Sequence, residues 1–175
     1  MNKKRLLEKS NNSQMSSLPK KLAIGTAQFG LNYGISNQDG QVNENEIMSI
    51  LDFAYGNDIN TLDTAKAYGN SEKSIGKYLK QTVNNWQIIT KVNNCDKGII
   101  EQIQDSIEKL TICPTIVLAH SAKLFLEPRF QSVVQKAKDT KFIKSIGVSL
   151  YNENEINKVL QSELNPDVVQ LPMNI

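Results

Sequence analysis

The sequence predicts an α/β fold of six parallel strands alternating with five helices, the larger part of a (β/α)8 barrel. Two observations lead there. From Lys21 onward, short apolar runs rich in β-branched residues alternate with longer segments of helical spacing. That is the pattern of parallel strands covered by crossover helices. The first run is followed by GTAQFGLNYG and not by the G-x-G-x-x-G of an open dinucleotide-binding sheet, which favours a barrel over the doubly wound alternative.

The first strand is read at Leu22–Ala27 (LAIGTA), and the first helix at NENEIMSILDFAYG, with Ile47, Ile50, Leu51 and Ala54 on one stripe. Asn43 or Asn45 can cap that helix and Gly56 can end it. The second strand, Ile59–Asp63 (INTLD), leads to SEKSIGKYL, where Ile75, Tyr78 and Leu79 share a face. The third, Trp86–Val92 (WQIITKV), leads to KGIIEQIQDSIEKL, with Ile99, Ile103, Ile107 and Leu110 aligned. Thr115–His120 (TIVLAH) and RFQSVVQKAK come next, followed by Ile143–Ser149 (IKSIGVS) and NENEINKVLQ. Asp167–Pro172 (DVVQLP) is the sixth strand. A complete TIM barrel has eight strands in about 250 residues. The expectation is therefore a partial barrel over residues 21–175, its N-terminal three-quarters, with the last two βα units absent.

Composition excludes several function classes. A formal net charge of +2 offers no dense basic face for nucleic acid or an anionic membrane. Residues 1–20 are polar, Ser/Asn-rich and mildly basic, and are read as a flexible tail; their one apolar pair, Leu6-Leu7, is far short of a signal peptide. Cys95 and Cys113 form no C-x-x-C, and with one histidine the chain lacks the ligands for a structural zinc site. No metal is expected. Two reduced thiols in a cytoplasmic protein is the plain reading.

Barrel enzymes carry their chemistry at the C-terminal ends of the strands. Those positions hold Asp63, with Tyr68 in the loop after it, then Lys91, His120, Ser149 and Gln170. Each has a bland alternative: an Asp or Ser after a strand is often a turn or cap residue, a lone His a bystander, and Ser71 the cap of a helix. Polar groups on consecutive ends of otherwise apolar strands are harder to call accidental. Together they suit one chemistry. A phenol has an ordinary pKa near about 10, and an adjacent lysine is expected to lower it. Asp63 can hold that lysine in place, and His120 can hydrogen-bond a carbonyl oxygen.

LDTAKAYGNSEKSIG, Leu62–Gly76, resembles the D-T-A-x-x-Y-G-x-S-E-x-x-x-G signature of the aldo-keto reductases. Asp63, Tyr68, Lys91 and His120 match that family's catalytic tetrad in type, order and strand position. SIGVS, DVVQLPMN and IGTAQFG resemble its fifth, sixth and first strands, so the resemblance runs from about Leu22 to the last residue. It implies a carbonyl reductase using NADPH, with NADH as the alternative, in which Tyr68 donates the proton, Lys91 and Asp63 tune it and His120 orients the substrate. By the same resemblance Gly25, Thr26 and Asp63 lie beside the cofactor, and Ser149 and Gln170 bind its carboxamide.

The chain departs from the family at Leu150, where an Asn commonly follows the serine; Asn152 is the candidate substitute. The loops after strands seven and eight, which grip the rest of the cofactor, are absent. A small-molecule carbonyl, aldehyde, ketone or sugar-derived, is the expected substrate. The competing readings are a catalytically silent remnant that binds a partner, and a sugar-phosphate isomerase or lyase, which needs a phosphate site after strands seven and eight. Six strands cannot close an eight-stranded barrel, so self-association through the open edges is expected.

Overall fold

A computed structural model describes residues 22–94, 98–139 and 142–173; the expected tail and Cys95 lie outside them. Six strands form one sheet in the order β1-β2-β3-β4-β5-β6, every neighbouring pair parallel. The order of elements is β1 (Ile24–Gly25), α1 (Ala27–Gly30), α2 (Glu44–Gly56), β2 (Thr61–Asp63), α3 (Ser71–Leu79), β3 (Gln87–Val92) and α4 (Ile99–Leu110). It continues through β4 (Ile116–Ala119), α5 (Ala122–Phe125), α6 (Pro128–Asp139), β5 (Ser145–Ser149), α7 (Glu153–Leu160) and β6 (Val168–Gln170). This is the sequential, all-parallel sheet of a partial (β/α)8 barrel, with β1 and β6 as its edges. No helix among the described residues is long and apolar enough to cross a membrane.

The core lies between the sheet and its helices. Leu62 and Ile88 pack with Ile47, Leu51 and Ala54 of α2 and Ile75 and Tyr78 of α3. Val117, Ala119, Ile146 and Val148 pack with Ile103 of α4, Phe130 and Val134 of α6 and Val159 of α7. Because strand residues alternate in direction, the intervening positions, Asp63, Lys91, Gly147 and Ser149, face the opposite side, the inside of the barrel.

Local chemistry sets the helix ends. The Asn43 side chain accepts the Glu46 N–H at 3.0 Å, and its Nδ2 donates to Glu46 Oε2 at 3.5 Å, a cap that leaves Asn45 inside the helix. Gly56 is the last residue of α2, and Asp58 turns the chain with φ 61°. Two helices go beyond the five expected: α1 and α5 are single turns directly after β1 and β4. Four residues are too few to show a 3.6-residue period, so only caps could have signalled them. Ser121, which accepts the Leu124 N–H at 3.3 Å, is such a cap.

Candidate active site

The loop from Thr64 to Asn70 continues the β2–β3 ladder past the strand: Thr64 N–H donates to Ile89 O at 2.9 Å and Lys66 N–H to Lys91 O at 3.0 Å. Its far end is folded tightly. Gly69 takes φ +55°, and a Cβ on Gly30 would sit 1.8 Å from Tyr68 O, so α1 and the Tyr68 loop touch backbone to backbone. A chain of buried hydroxyls runs beneath. Thr64 and Ser71 lie 3.0 Å apart, Ser71 Oγ donates toward Thr26 O and Oγ1, both at 2.9 Å, and Thr26 Oγ1 donates to Asp63 O at 2.9 Å. Ser71 therefore does not cap α3. It ties α3 to the ends of β1 and β2.

Four of the expected residues converge on the inner side of the sheet. Lys91, only 2% exposed, donates from Nζ to Asp63 Oδ1 at 2.7 Å and Thr64 O at 3.1 Å, and lies 3.4 Å from the Tyr68 hydroxyl. Its Nζ is also 5.0 Å from the centroid of the Tyr68 ring. The His120 and Tyr68 rings meet edge-on, centroids 5.9 Å apart, and the backbone N–H of His120 donates to Val92 O at 2.9 Å. Sequence spacing put these groups at the ends of three consecutive strands and in the loop after the first of them; the register brings their side chains together.

Burial pulls the Lys91 ammonium below its ordinary pKa, with Asp63 opposing the fall. Burial and then the Lys91 charge lower that of His120, again against Asp63. Tyr68 corrects an expectation. Its pKa does not fall beside Lys91 but is pushed up to about 12, first by burial, then by the Asp63 carboxylate and the Tyr151 and Tyr33 phenols. The lysine's charge is largely matched by Asp63 at 2.7 Å, so the half-buried phenol faces a nearly neutral pair.

The expected cofactor residues divide. Ser149, 5% exposed, and Gln170 pair across β5 and β6, and neither side chain has a hydrogen-bond partner among the described residues. Gly25 pairs with Asp63, and a Cβ there would meet nothing within 4 Å. Thr26 is fully buried and its hydroxyl is engaged with Asp63 and Ser71. Leu150 is buried in the helix-side core, and Asn152 caps α7 through the Glu155 N–H at 3.0 Å.

Several residues of the site were not singled out from sequence. Thr64, Glu72 and Thr90 are buried polar residues whose signal was their place inside the signature or on an apolar strand. Tyr33 and Tyr151 follow β1 and β5; the rule that led to Tyr68, reading the loops after strands, would have found them.

None of the curated proteins matches the sequence. Among solved structures, the fold is similar to a Pseudomonas aeruginosa protein described as an aldo-keto reductase (TM-score 0.70, 22% identity, covering 85% of this chain and 61% of that one). It is also similar to aldose reductase from Giardia lamblia (TM-score 0.61, 16% identity, 76% and 55%). A third is an aldo-keto reductase from Klebsiella pneumoniae in complex with NADPH (TM-score 0.60, 14% identity, 68% and 44%). The chain thus spans 61% or less of the length of these structures, and the likeness is one of fold. The model of the aldo/keto reductase family matches residues 21–175, and the chain belongs to that family.

Proposed function

We propose that this chain carries the catalytic half of a nicotinamide-dependent carbonyl reductase, acting on a small aldehyde, ketone or sugar-derived carbonyl. The observation that carries the reading is the Asp63–Lys91–Tyr68 contact, with the His120 ring against Tyr68. At neutral pH the phenol, raised to about 12, is fully protonated, as a proton donor must be. Reduction adds a hydride to the carbonyl carbon and a proton to its oxygen. Tyr68 gives the proton as the oxygen becomes an alkoxide. Lys91 then stabilises the phenolate left behind, and Asp63 holds the lysine at that distance. His120, its pKa lowered, is neutral at pH 7 and can donate an N–H to the same oxygen.

Ser149 and Gln170 fit a nicotinamide: a hydroxyl and a carboxamide, adjacent across two strands and without a partner among the described residues, match the donors and acceptors of an amide. NADPH, or NADH as the alternative, would lie there and supply the hydride. Asp63 and Gly25 border the same place. Thr26 acts from behind, holding the carbonyl of Asp63. Tyr33 and Tyr151, close enough to affect Tyr68, edge the substrate's way in. A cytoplasmic setting and self-association through β1 and β6 belong to this reading.

The second reading is a silent piece that serves by binding a partner. It is favoured by the two open edges of the sheet. A fluorescence titration of NADPH with the purified chain separates the two. Saturable micromolar binding, followed by reduction of a carbonyl panel, supports the reductase; no binding up to millimolar cofactor supports the silent piece.

A further inference from the structure

Glu72 is 3% exposed, and the reading of Tyr68 as proton donor gives it no part. It opens α3, directly after the Tyr68 loop. Its Oε1 accepts the Thr90 hydroxyl at 2.7 Å, and Thr90 is fully buried. Its Oε2 lies 3.6 Å from Lys66 Nζ, which is also paired to Asp105 of α4. Both partners lead back to Tyr68 and Lys91. Thr90 precedes Lys91 on β3, and alternation points one residue at α3 and the other into the barrel. Lys66 sits two residues before Tyr68, and its N–H bonds Lys91 O at 3.0 Å.

We infer that Glu72 is a positioning residue: gripping Thr90 and Lys66 from the helix side, it fixes the loop that carries the Tyr68 phenol to the strand that carries Lys91. The inference rests on the proposed role of Tyr68. A buried carboxylate held by one hydroxyl and one shared lysine is a weak way to stabilise a helix, because an apolar side chain of the same size does that as well. What the carboxylate provides is direction, since two oxygens reach two elements at once. Without it, the loop keeps its Thr64–Ser71 bond and the Lys66–Asp105 pair but loses the carboxylate that ties it to Thr90, on the strand of Lys91. The phenol then takes up water, and its pKa, raised first by burial, falls toward its ordinary value.

The test uses Glu72→Gln, which keeps the size and one acceptor oxygen, and Thr90→Val, which removes the opposite end of the same bond. The full chain is labelled with 3-fluorotyrosine, which lowers every phenol pKa into an accessible range, and the Tyr68 fluorine resonance is assigned by its loss in Tyr68→Phe. Asp63, Lys91, His120, Tyr33 and Tyr151, the groups facing Tyr68, are unchanged. Both variants are expected to lower the Tyr68 midpoint by roughly one pH unit. Val134→Ala, in the core of α6, lowers the melting temperature without moving that midpoint. An unchanged Tyr68 midpoint in folded Glu72→Gln and Thr90→Val overturns the inference, whatever their melting temperatures. The readout needs neither cofactor nor substrate, so a chain that shows the shift and reduces no carbonyl keeps the positioning role and loses the reductase reading. Where reduction is measured, Glu72→Gln lowers kcat with KM unchanged, the signature of a misplaced donor.

Discussion

Lys91 is a buried ammonium serving a carboxylate, a backbone carbonyl and a phenol at once. Replacing it by Met leaves Asp63 facing the interior without its cation. Breaking a fully buried pair costs about 3–5 kcal/mol. Asp63 keeps 17% exposure, so the lower end, about 3 kcal/mol, is expected in a denaturant melt of Lys91→Met, together with loss of turnover. Tyr68→Phe differs in kind. The phenol's short contact is the 3.4 Å approach to Lys91, so the variant should fold and bind NADPH as the parent does while carbonyl reduction disappears. Equal rates for parent and variant would remove Tyr68 from the chemistry. His120 makes a prediction with a sign. Its folded pKa is lowered, chiefly by burial and then by Lys91, so the unfolded chain takes up the proton first as pH falls through about 6.5. Stability contributed by the neutral imidazole is present above that pH and lost below it. His120→Gln should therefore flatten the decline of melting temperature between neutral and mildly acidic pH. A slope identical to the parent's would place the acid-labile group elsewhere.

Glycines decide how closely the elements approach. A Cβ on Gly76 would lie 1.8 Å from Lys109 O at the end of α4, and one on Gly30 the same distance from Tyr68 O. In both cases the obstacle is backbone, which cannot rotate aside. Gly76→Ala should force α3 from α4 and cost about 2 kcal/mol, read as a lower denaturant midpoint. Gly30→Ala should do similar damage to stability and in addition displace Tyr68, so reduction falls further than folding does. These contacts show why the elements were legible in the sequence and their junctions less so. The helix stripe at Ile47, Ile50, Leu51 and Ala54, or the apolar run at Ile88–Val92, is a local pattern, and local patterns fix type and order. The strand ends shrink against the sequence reading because pairing stops where a partner stops: Leu22 and Ala27 have no neighbour in β2, leaving Ile24 and Gly25 as the strand. The convergence of Asp63, Tyr68, Lys91 and His120 was legible because each follows or ends a strand-forming run. The hydroxyl chain Thr26–Thr64–Ser71 was not. Its bonds join residues up to 45 positions apart, and nothing in the spacing of a Thr and a Ser says which will face each other. The pKa of Tyr68 departs from the sequence expectation for the same reason: a neighbouring charge can be inferred from strand order, but burial, and the carboxylate that neutralises the charge, depend on the packed whole.

At the scale of the molecule, six parallel strands make an arc with two edges. β1 offers Ile24 and Gly25, and β6 offers Val168–Gln170, each bonded to one neighbour only among the described residues. Val169 shares the helix side of the sheet with Val148, its partner in register. Val148 is fully buried under helices, whereas Val169 is 44% exposed, and Leu171 and Met173 beyond it are more open still. Leu22, just before β1, is exposed as well. An edge with free N–H and C=O groups beside uncovered apolar side chains is a template for another strand. Charge does not protect it, because no Lys, Arg, Asp or Glu falls within Val168–Met173. The chain is therefore expected to self-associate at micromolar concentration. Sedimentation velocity should show mass above that of the 19.6 kDa chain, rising with concentration. Val169→Lys, which puts a charge on the exposed side of β6 without touching the inner face that holds Gln170, should shift the distribution toward monomer. That same variant ties association to the site. If the edges must be covered for Ser149 and Gln170 to hold a nicotinamide firmly, Val169→Lys weakens NADPH binding in step with dissociation, although the lysine lies on the opposite side of the strand. If binding is unchanged in the monomeric variant, the cofactor residues are already rigid in the single chain, and the open edges affect only its solubility.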